Sequence, residues 1–164
     1  MGNLTVLTLR VVLAGVLAGS LFVQVVMVPL LAIDMRDISP EFSYLRAPFL
    51  AIIVLGIVTI QISLVCVWRL LTMVRRGTVF SDSAFRYVDV VIGAIAAASL
   101  LTFALAGLLA PTDVAPGIVL LIGGAGLLVA GVALIVLVLR MLLAQAVARD
   151  AEAHHLQAEL DEVI

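Results

Sequence analysis

RLLTMVRRGTVFSDSAFRYVD, residues Arg69–Asp89, is the stretch around which the rest of the chain is arranged. It carries four of the nine cationic residues, all nine of which are arginines, and a long apolar run lies on each side of it. Cations near the ends of membrane spans collect in the loops that stay in the cytoplasm. We therefore predict that this stretch is the cytoplasmic turn between the second and third of four membrane-spanning helices.

The composition is that of a membrane protein. Hydrophobic residues make up 65% of the 164 residues and charged residues 12%, against about 45–50% and about 25% in soluble domains. A net charge of −2 without any basic stripe argues against direct nucleic-acid binding. The single cysteine, Cys66, rules out a disulfide within the chain.

Four charge-free apolar segments are each long enough to cross a bilayer, which takes about 20 residues of helix. They lie at about 11–33, 47–68, 90–110 and 117–139. The first exceeds the apolar part of a secretion signal, which has about 7–15 residues, so we expect an uncleaved span. The sequence predicts an all-α membrane protein, with four transmembrane helices forming an antiparallel bundle over residues 1–143.

Residues 144–164 are predicted to extend the last helix into the cytoplasm as an amphipathic tail. Its apolar residues recur at helical spacing and form one stripe, while acidic residues occupy the other faces. The stripe consists of Ala153, Leu156, Leu160 and Val163. His154 and His155 are adjacent, unlike zinc ligands on helices, which stand four apart. We therefore predict neither a metal nor a cofactor.

The distribution of arginines predicts the orientation, because retained loops carry the excess of cations. With both termini in the cytoplasm, only Arg36 and Arg46 lie outside. The inner side then holds Arg10, Arg69, Arg75, Arg76, Arg86, Arg140 and Arg149. We expect a multi-pass protein of the plasma membrane with cytoplasmic N- and C-termini.

Small and polar residues inside the spans mark positions where helices could pack closely. The candidate packing residues are Gly15, Gly19, Gln24, Gln61, Gly93 and Gly126. Gln24 and Gln61 lie near the middle of the first two spans, so an antiparallel pair of helices would bring both amides to a similar depth. They would form either an interhelical hydrogen bond or part of a substrate path.

The central turn resembles that of a family of bacterial four-span membrane proteins. The similarity lies in Gly77, in the pair Phe80-Ser81 and in Arg86 at the start of an amphipathic helix. The ending Glu159-Leu160-Asp161-Glu162-Val163-Ile164 is similar to the short acidic and apolar ending of the family. The resemblance implies a domain of unknown function, often encoded beside a small Cro-like helix-turn-helix regulator. It implies no established activity.

Two function classes follow, besides contact with the lipid bilayer. The first is a regulatory or interaction protein that binds a cytoplasmic partner, such as a small helix-turn-helix regulator. Its candidate partner-binding residues are Arg75, Arg76, Phe80, Arg86, Leu156, Leu160 and Val163. The alternative is a small transport or permeation element acting as a homo-oligomer, although pathways usually carry ionisable groups within the membrane. An enzyme is not expected, because no acid, base and nucleophile are grouped in the sequence.

Overall fold

The computed structural model describes residues 3–35, 43–75 and 82–163, and almost all of them are helical. No strand occurs in these three ranges. The elements are α1 (Asn3–Phe22), a π-helical turn (Val23–Met27), α2 (Val28–Asp34), α3 (Ser43–Arg75), α4 (Asp82–Leu109) and α5 (Pro116–Val163). Because α1, the π-helical turn and α2 follow one another without a break, they form one continuous rod, which we call the first span.

Four stretches of these helices are long and apolar enough to cross a membrane. They are Val6–Asp34, Tyr44–Met73, Phe85–Leu109 and Pro116–Gln157. The predicted all-α, four-span architecture is therefore confirmed. Most of the helices extend beyond the predicted spans, because the absence of charge marks only the part that lies in hydrocarbon. A helix can continue into the headgroup region, where polar side chains meet water while the backbone hydrogen bonds stay intact.

The spans pack in the order in which they occur along the chain. The first span lies against α3, α3 packs along α4, and α4 packs along α5. The two interfaces of α4 are extensive, whereas the contact between the first span and α3 is sparser. Among the described residues, no interface of comparable size joins the first span to α5. The central helix of the bundle is therefore α4.

The buried positions of the bundle are mostly small. The most deeply buried residues are Leu13, Cys66, Ala94, Ser99, Ala106 and Ala133. Large side chains point outward, as in Leu120 of α5, which is 78% exposed. Lipid is as apolar as leucine, so nothing drives leucines into the space between helices, whereas small residues let the backbones approach closely. The exposed leucines are the surface that contacts hydrocarbon in the membrane.

The π-helical turn in the first span accompanies a proline. Pro29 has no backbone N–H, so it cannot donate to the carbonyl of Val25 four residues earlier. In the turn just before it, the N–H of Val28 donates to the carbonyl of Val23, five residues earlier, and not to the carbonyl four residues earlier as in a regular α-helix. The wider turn that results contains Gln24, one of the two mid-span amides.

Candidate functional site

One end of the bundle carries most of the described cationic residues. Arg10 near the start of α1, Arg69 in α3, Arg86 in α4 and Arg140 in α5 all lie at this end, which we call the arginine-rich end. At the opposite end, Arg46 donates a hydrogen bond to the carbonyl of Ala32 in the last turn of α2. That contact satisfies one of the carbonyls that a helix end leaves without a partner.

Arg140 joins α5 to α4 at the arginine-rich end. Its Nε lies 2.6 Å from Oδ1 of Asp89, and its Nη2 donates to Oδ2 of the same carboxylate at 2.8 Å. Its guanidinium also lies 5.8 Å from the ring centre of Phe85, one helical turn before Asp89. The Nη2 contact is a hydrogen bond, whereas the buried Nε has no hydrogen-bond acceptor among the described residues, so its short contact with Oδ1 is electrostatic only. Our sequence reasoning did not pair these residues, although both stand at the same end of neighbouring spans.

Arg10 joins α1 to α3 in a similar way. Its Nη2 donates to Oγ1 of Thr72 at 3.1 Å, and its guanidinium lies 5.7 Å from the ring centre of Trp68. Oγ1 of Thr72 donates in turn to the carbonyl of Trp68 at 3.0 Å. Nε of Arg10 is buried and has no acceptor in the part of the chain that the structure describes. Arg10 therefore keeps an unused donor next to an aromatic ring.

Arg69 and Arg86 differ from the two anchored arginines. Both side chains are exposed, and neither forms a hydrogen bond or an ion pair within the described ranges. With respect to the described residues, their guanidinium donors are therefore available to a ligand, a lipid or another protein.

The predicted partner-binding residues fall into three groups. Arg86 and Leu156 are exposed, with Leu156 at 54%. Arg75 is the last residue of α3, and Leu160 and Val163 lie in the last turns of α5, but the placement of these three side chains is not described. Arg76 and Phe80 lie outside the described residues.

The last helix continues far beyond the membrane-facing part of the bundle. Arg140 lies level with Asp89 near the start of α4, and α5 runs on to Val163. At 1.5 Å per residue this extension is about 35 Å long. The predicted junction at 143/144 lies inside this continuous helix. From position 148 to position 157 every side chain is exposed, so no other described element covers this part of α5.

The structure brings the two mid-span glutamines together. Nε2 of Gln61 donates to Oε1 of Gln24 at 2.9 Å and to Oγ of Ser20 at 3.3 Å. Oγ of Ser20 donates to the carbonyl of Leu17 at 2.8 Å. In hydrocarbon, where water cannot satisfy an amide, such a cluster holds two helices together.

Of the four candidate packing glycines, Gly126 lies at a close helix contact. A Cβ added there would lie 3.4 Å from the ring of Phe103 in α4. A Cβ at Gly15, Gly19 or Gly93 would meet no atom within 4 Å. No described residue therefore packs closely on the face of α1 that carries Gly15 and Gly19.

The described residues contain no group of three or more metal-ligating side chains. Nε2 of His154 lies 3.8 Å from Oδ2 of Asp150, but both side chains are largely exposed. A contact of this kind between solvated groups contributes little. In the described part of the chain, the notable polar groups are the arginines at the arginine-rich end and the amides and hydroxyls in the middle of the spans.

These features define a multi-pass α-helical membrane protein built as a single four-span bundle. Residues 30–164 match the sequence model of the family described as Protein of unknown function (DUF2975), and the chain belongs to that family. The match begins near the end of the first span and includes the other three spans and the tail. The predicted resemblance to a family of unknown function is thereby confirmed, while the neighbouring helix-turn-helix regulator stays a prediction. No curated protein and no solved structure matches the chain significantly.

Proposed function

We propose that this protein is a membrane-bound regulatory or interaction protein of the plasma membrane. It binds a cytoplasmic protein partner, such as a small helix-turn-helix regulator, through the arginine-rich end and the extension of α5. The observation that carries the proposal is the length and exposure of that extension, whose side chains are exposed at every position from 148 to 157.

An isolated helix of this length is only marginally stable in water. The extension nevertheless presents an apolar stripe, of which Leu156 is 54% exposed and Ala153 is exposed as well. Covering a leucine side chain fully stabilises a complex by about 1.5–3 kcal/mol. A partner that covers the stripe therefore orders the helix and gains apolar contact in the same step.

The cytoplasmic orientation is supported by the arginines. The Asn3 end of α1 and the Val163 end of α5 lie on the same side of the bundle, together with Arg69, Arg86 and Arg140. Since positive residues are retained on the cytoplasmic side, this arrangement supports a cytoplasmic location for the extension, where a soluble regulator could bind it. A reporter fused after Ile164 should be active in the cytoplasm, and activity on the outer surface would overturn the orientation.

The partner can be sought by placing a photo-cross-linking amino acid at Leu156 of the full-length protein in cells. The same amino acid at Leu128, an exposed lipid-facing position of α5, provides the control. We expect a protein adduct from position 156 that is absent from position 128. Equal adducts from both positions, or none from 156, would contradict the proposal.

Two matched substitutions then test whether the partner binds through the apolar stripe or through other faces of the helix. Leu156→Asp puts a charge into the apolar stripe, whereas Gln157→Asp puts the same charge at the adjacent exposed position. The first should reduce recovery of the partner in a pull-down with the full-length protein about tenfold or more, because a buried charge opposes docking. The second should leave recovery within about twofold. Undiminished recovery after removal of residues 151–164 would show that the extension is not the binding element.

A further inference from the structure

The first span and α3 are separated by an open groove that runs toward the arginine-rich end. Its volume is about 390 Å³, and it is lined by Ala14, Leu17, Ala18, Leu21, Val65, Trp68 and Arg69. From Ala14 to Leu21 the groove follows the helix for about 10 Å at 1.5 Å per residue. Apolar walls of this length fit an alkyl chain lying along the first span.

Arg69 lines one end of this groove, and Arg10 lies on the first span one helical turn beyond the same end. Arg10 lies four residues before Ala14 and Arg69 four residues after Val65, so each extends the lining face of its own helix by one turn. Trp68 also lines the groove, and its ring centre lies 5.7 Å from the guanidinium carbon of Arg10. Arg69 is exposed and has no ion pair with any residue that the structure describes. Nε of Arg10 is buried, so Arg10 would contact a phosphate through the outer nitrogens of its guanidinium.

We propose that this groove is a binding site for an anionic phospholipid of the leaflet on the arginine-rich side. Arg10 and Arg69 bind the phosphate, the Trp68 indole lies at the level of the headgroup, and one acyl chain occupies the groove along Ala14 and Ala18. Guanidinium groups bind phosphate oxygens by charge and by paired hydrogen bonds. Tryptophan is enriched at this depth of a membrane because one edge of its ring is polar.

Comparison with a neighbouring groove supports an anionic ligand. The groove between α3 and α4 is smaller, about 180 Å³, and Thr59 and Ser63 are among its lining residues. It has no charged residue in its lining, so it offers no positive charge to a phosphate. A second copy of the chain is a poorer occupant of the larger groove, because a symmetric contact would bring Arg10 and Arg69 of both copies together. The charge at the end of this groove therefore selects a negatively charged ligand.

The test uses the full-length protein in detergent, titrated with phosphatidylglycerol or with zwitterionic phosphatidylethanolamine, and native mass spectrometry to count bound lipids. Arg69→Gln is the primary variant, because this side chain forms no hydrogen bond or ion pair with any described residue. We expect about a fivefold weaker preference for phosphatidylglycerol, in line with the contribution of one cation beside anionic lipid. Arg149→Gln removes the same charge from the exposed extension of α5 and should change the preference less than twofold.

A second pair of variants tests the acyl-chain part of the site. Ala18→Phe fills the groove, whereas Ala125→Phe adds the same ring at an exposed position of α5. The first should reduce the number of retained phosphatidylglycerol molecules, and the second should not. Equal binding of both lipids to the wild type, or equal losses in variant and control, would overturn the proposal. So would disulfide cross-linking between two copies of an Ala18→Cys variant, which would identify a second chain as the occupant.

Discussion

Oγ of Ser99 in α4 donates a hydrogen bond of 2.8 Å to the backbone carbonyl of Gly126 in α5. Ser99 is only 3% exposed, so the hydroxyl is removed from both water and lipid. The contact is possible because Gly126 has no side chain to hold the helices apart. It lies one turn from the ring of Phe103, which fills the space beside the glycine. At this point α4 and α5 are therefore joined by a small residue and one polar contact.

Gly126→Val should destabilise the bundle. The Cβ alone would reach 3.4 Å from the ring of Phe103, and the two further methyl groups must displace that ring or the helix. Overpacking of this kind costs about 1–3 kcal/mol. Gly124→Val, two residues away in open space, is the matched control and should cost clearly less. Thermal unfolding of the detergent-solubilised protein measures both, and equal melting temperatures would contradict the close contact.

Gln24→Leu and Gln61→Leu should be coupled in a double-mutant cycle. Their amides share one hydrogen bond of 2.9 Å between the first span and α3. Such bonds in membranes contribute about 0.6 kcal/mol on average, because the separated helices find other partners. We expect a coupling energy of this size from unfolding in mixed micelles. A coupling energy near zero would indicate that the two amides do not meet in the membrane.

The same double variant distinguishes the interaction protein from the transport element. If the amides only hold helices together, Gln24→Leu combined with Gln61→Leu should leave any solute flux in reconstituted vesicles unchanged. Loss of a measurable flux without loss of the folded state would instead favour a permeation path. Vesicles that contain the wild-type protein and protein-free vesicles provide the two reference rates.

The ion pair of Asp89 and Arg140 should make a modest contribution to stability. Half of the Asp89 side chain is exposed, so solvent screens the attraction despite the short distance of 2.6 Å between the charged groups. We expect a coupling energy of about 0.2–1 kcal/mol from the variants Asp89→Asn and Arg140→Gln. High salt should lower it, because exposed charges are screened. A coupling energy that does not respond to salt would indicate that the pair is shielded from water in the membrane.

Hydrogen exchange should divide α5 into two parts. Amides between Gly117 and Leu139 lie in the apolar span and should be protected strongly. Those between Arg149 and Gln157 belong to a helix exposed on every side, which should open readily in the isolated protein. Addition of the cytoplasmic partner should raise protection in the second part alone. Strong protection there without a partner would show that the extension already docks on the bundle or on a second copy.

The sequence by itself determined the class of protein, the number of spans and the approximate limits of each span. Charge-free apolar segments of this length are stable in the hydrocarbon of a bilayer, where a helix forms all of its backbone hydrogen bonds internally. The family membership also follows from the sequence, over residues 30–164. The sequence also predicted that Gln24 and Gln61 lie at similar depth in the membrane, because the ends of two antiparallel spans determine the depth of each residue between them.

Only the tertiary structure decided which faces of the helices meet. The glycines at 15, 19 and 126 look alike in the sequence, yet only Gly126 closely faces another helix. The pairs Arg140–Asp89 and Arg10–Thr72 likewise depend on the rotation of neighbouring helices about their axes. In a membrane every face of such a helix is apolar, so hydrophobic periodicity does not identify the buried side. The buried side of each helix is determined by close packing and by a few polar contacts between helices. These interactions exist only once the helices have assembled.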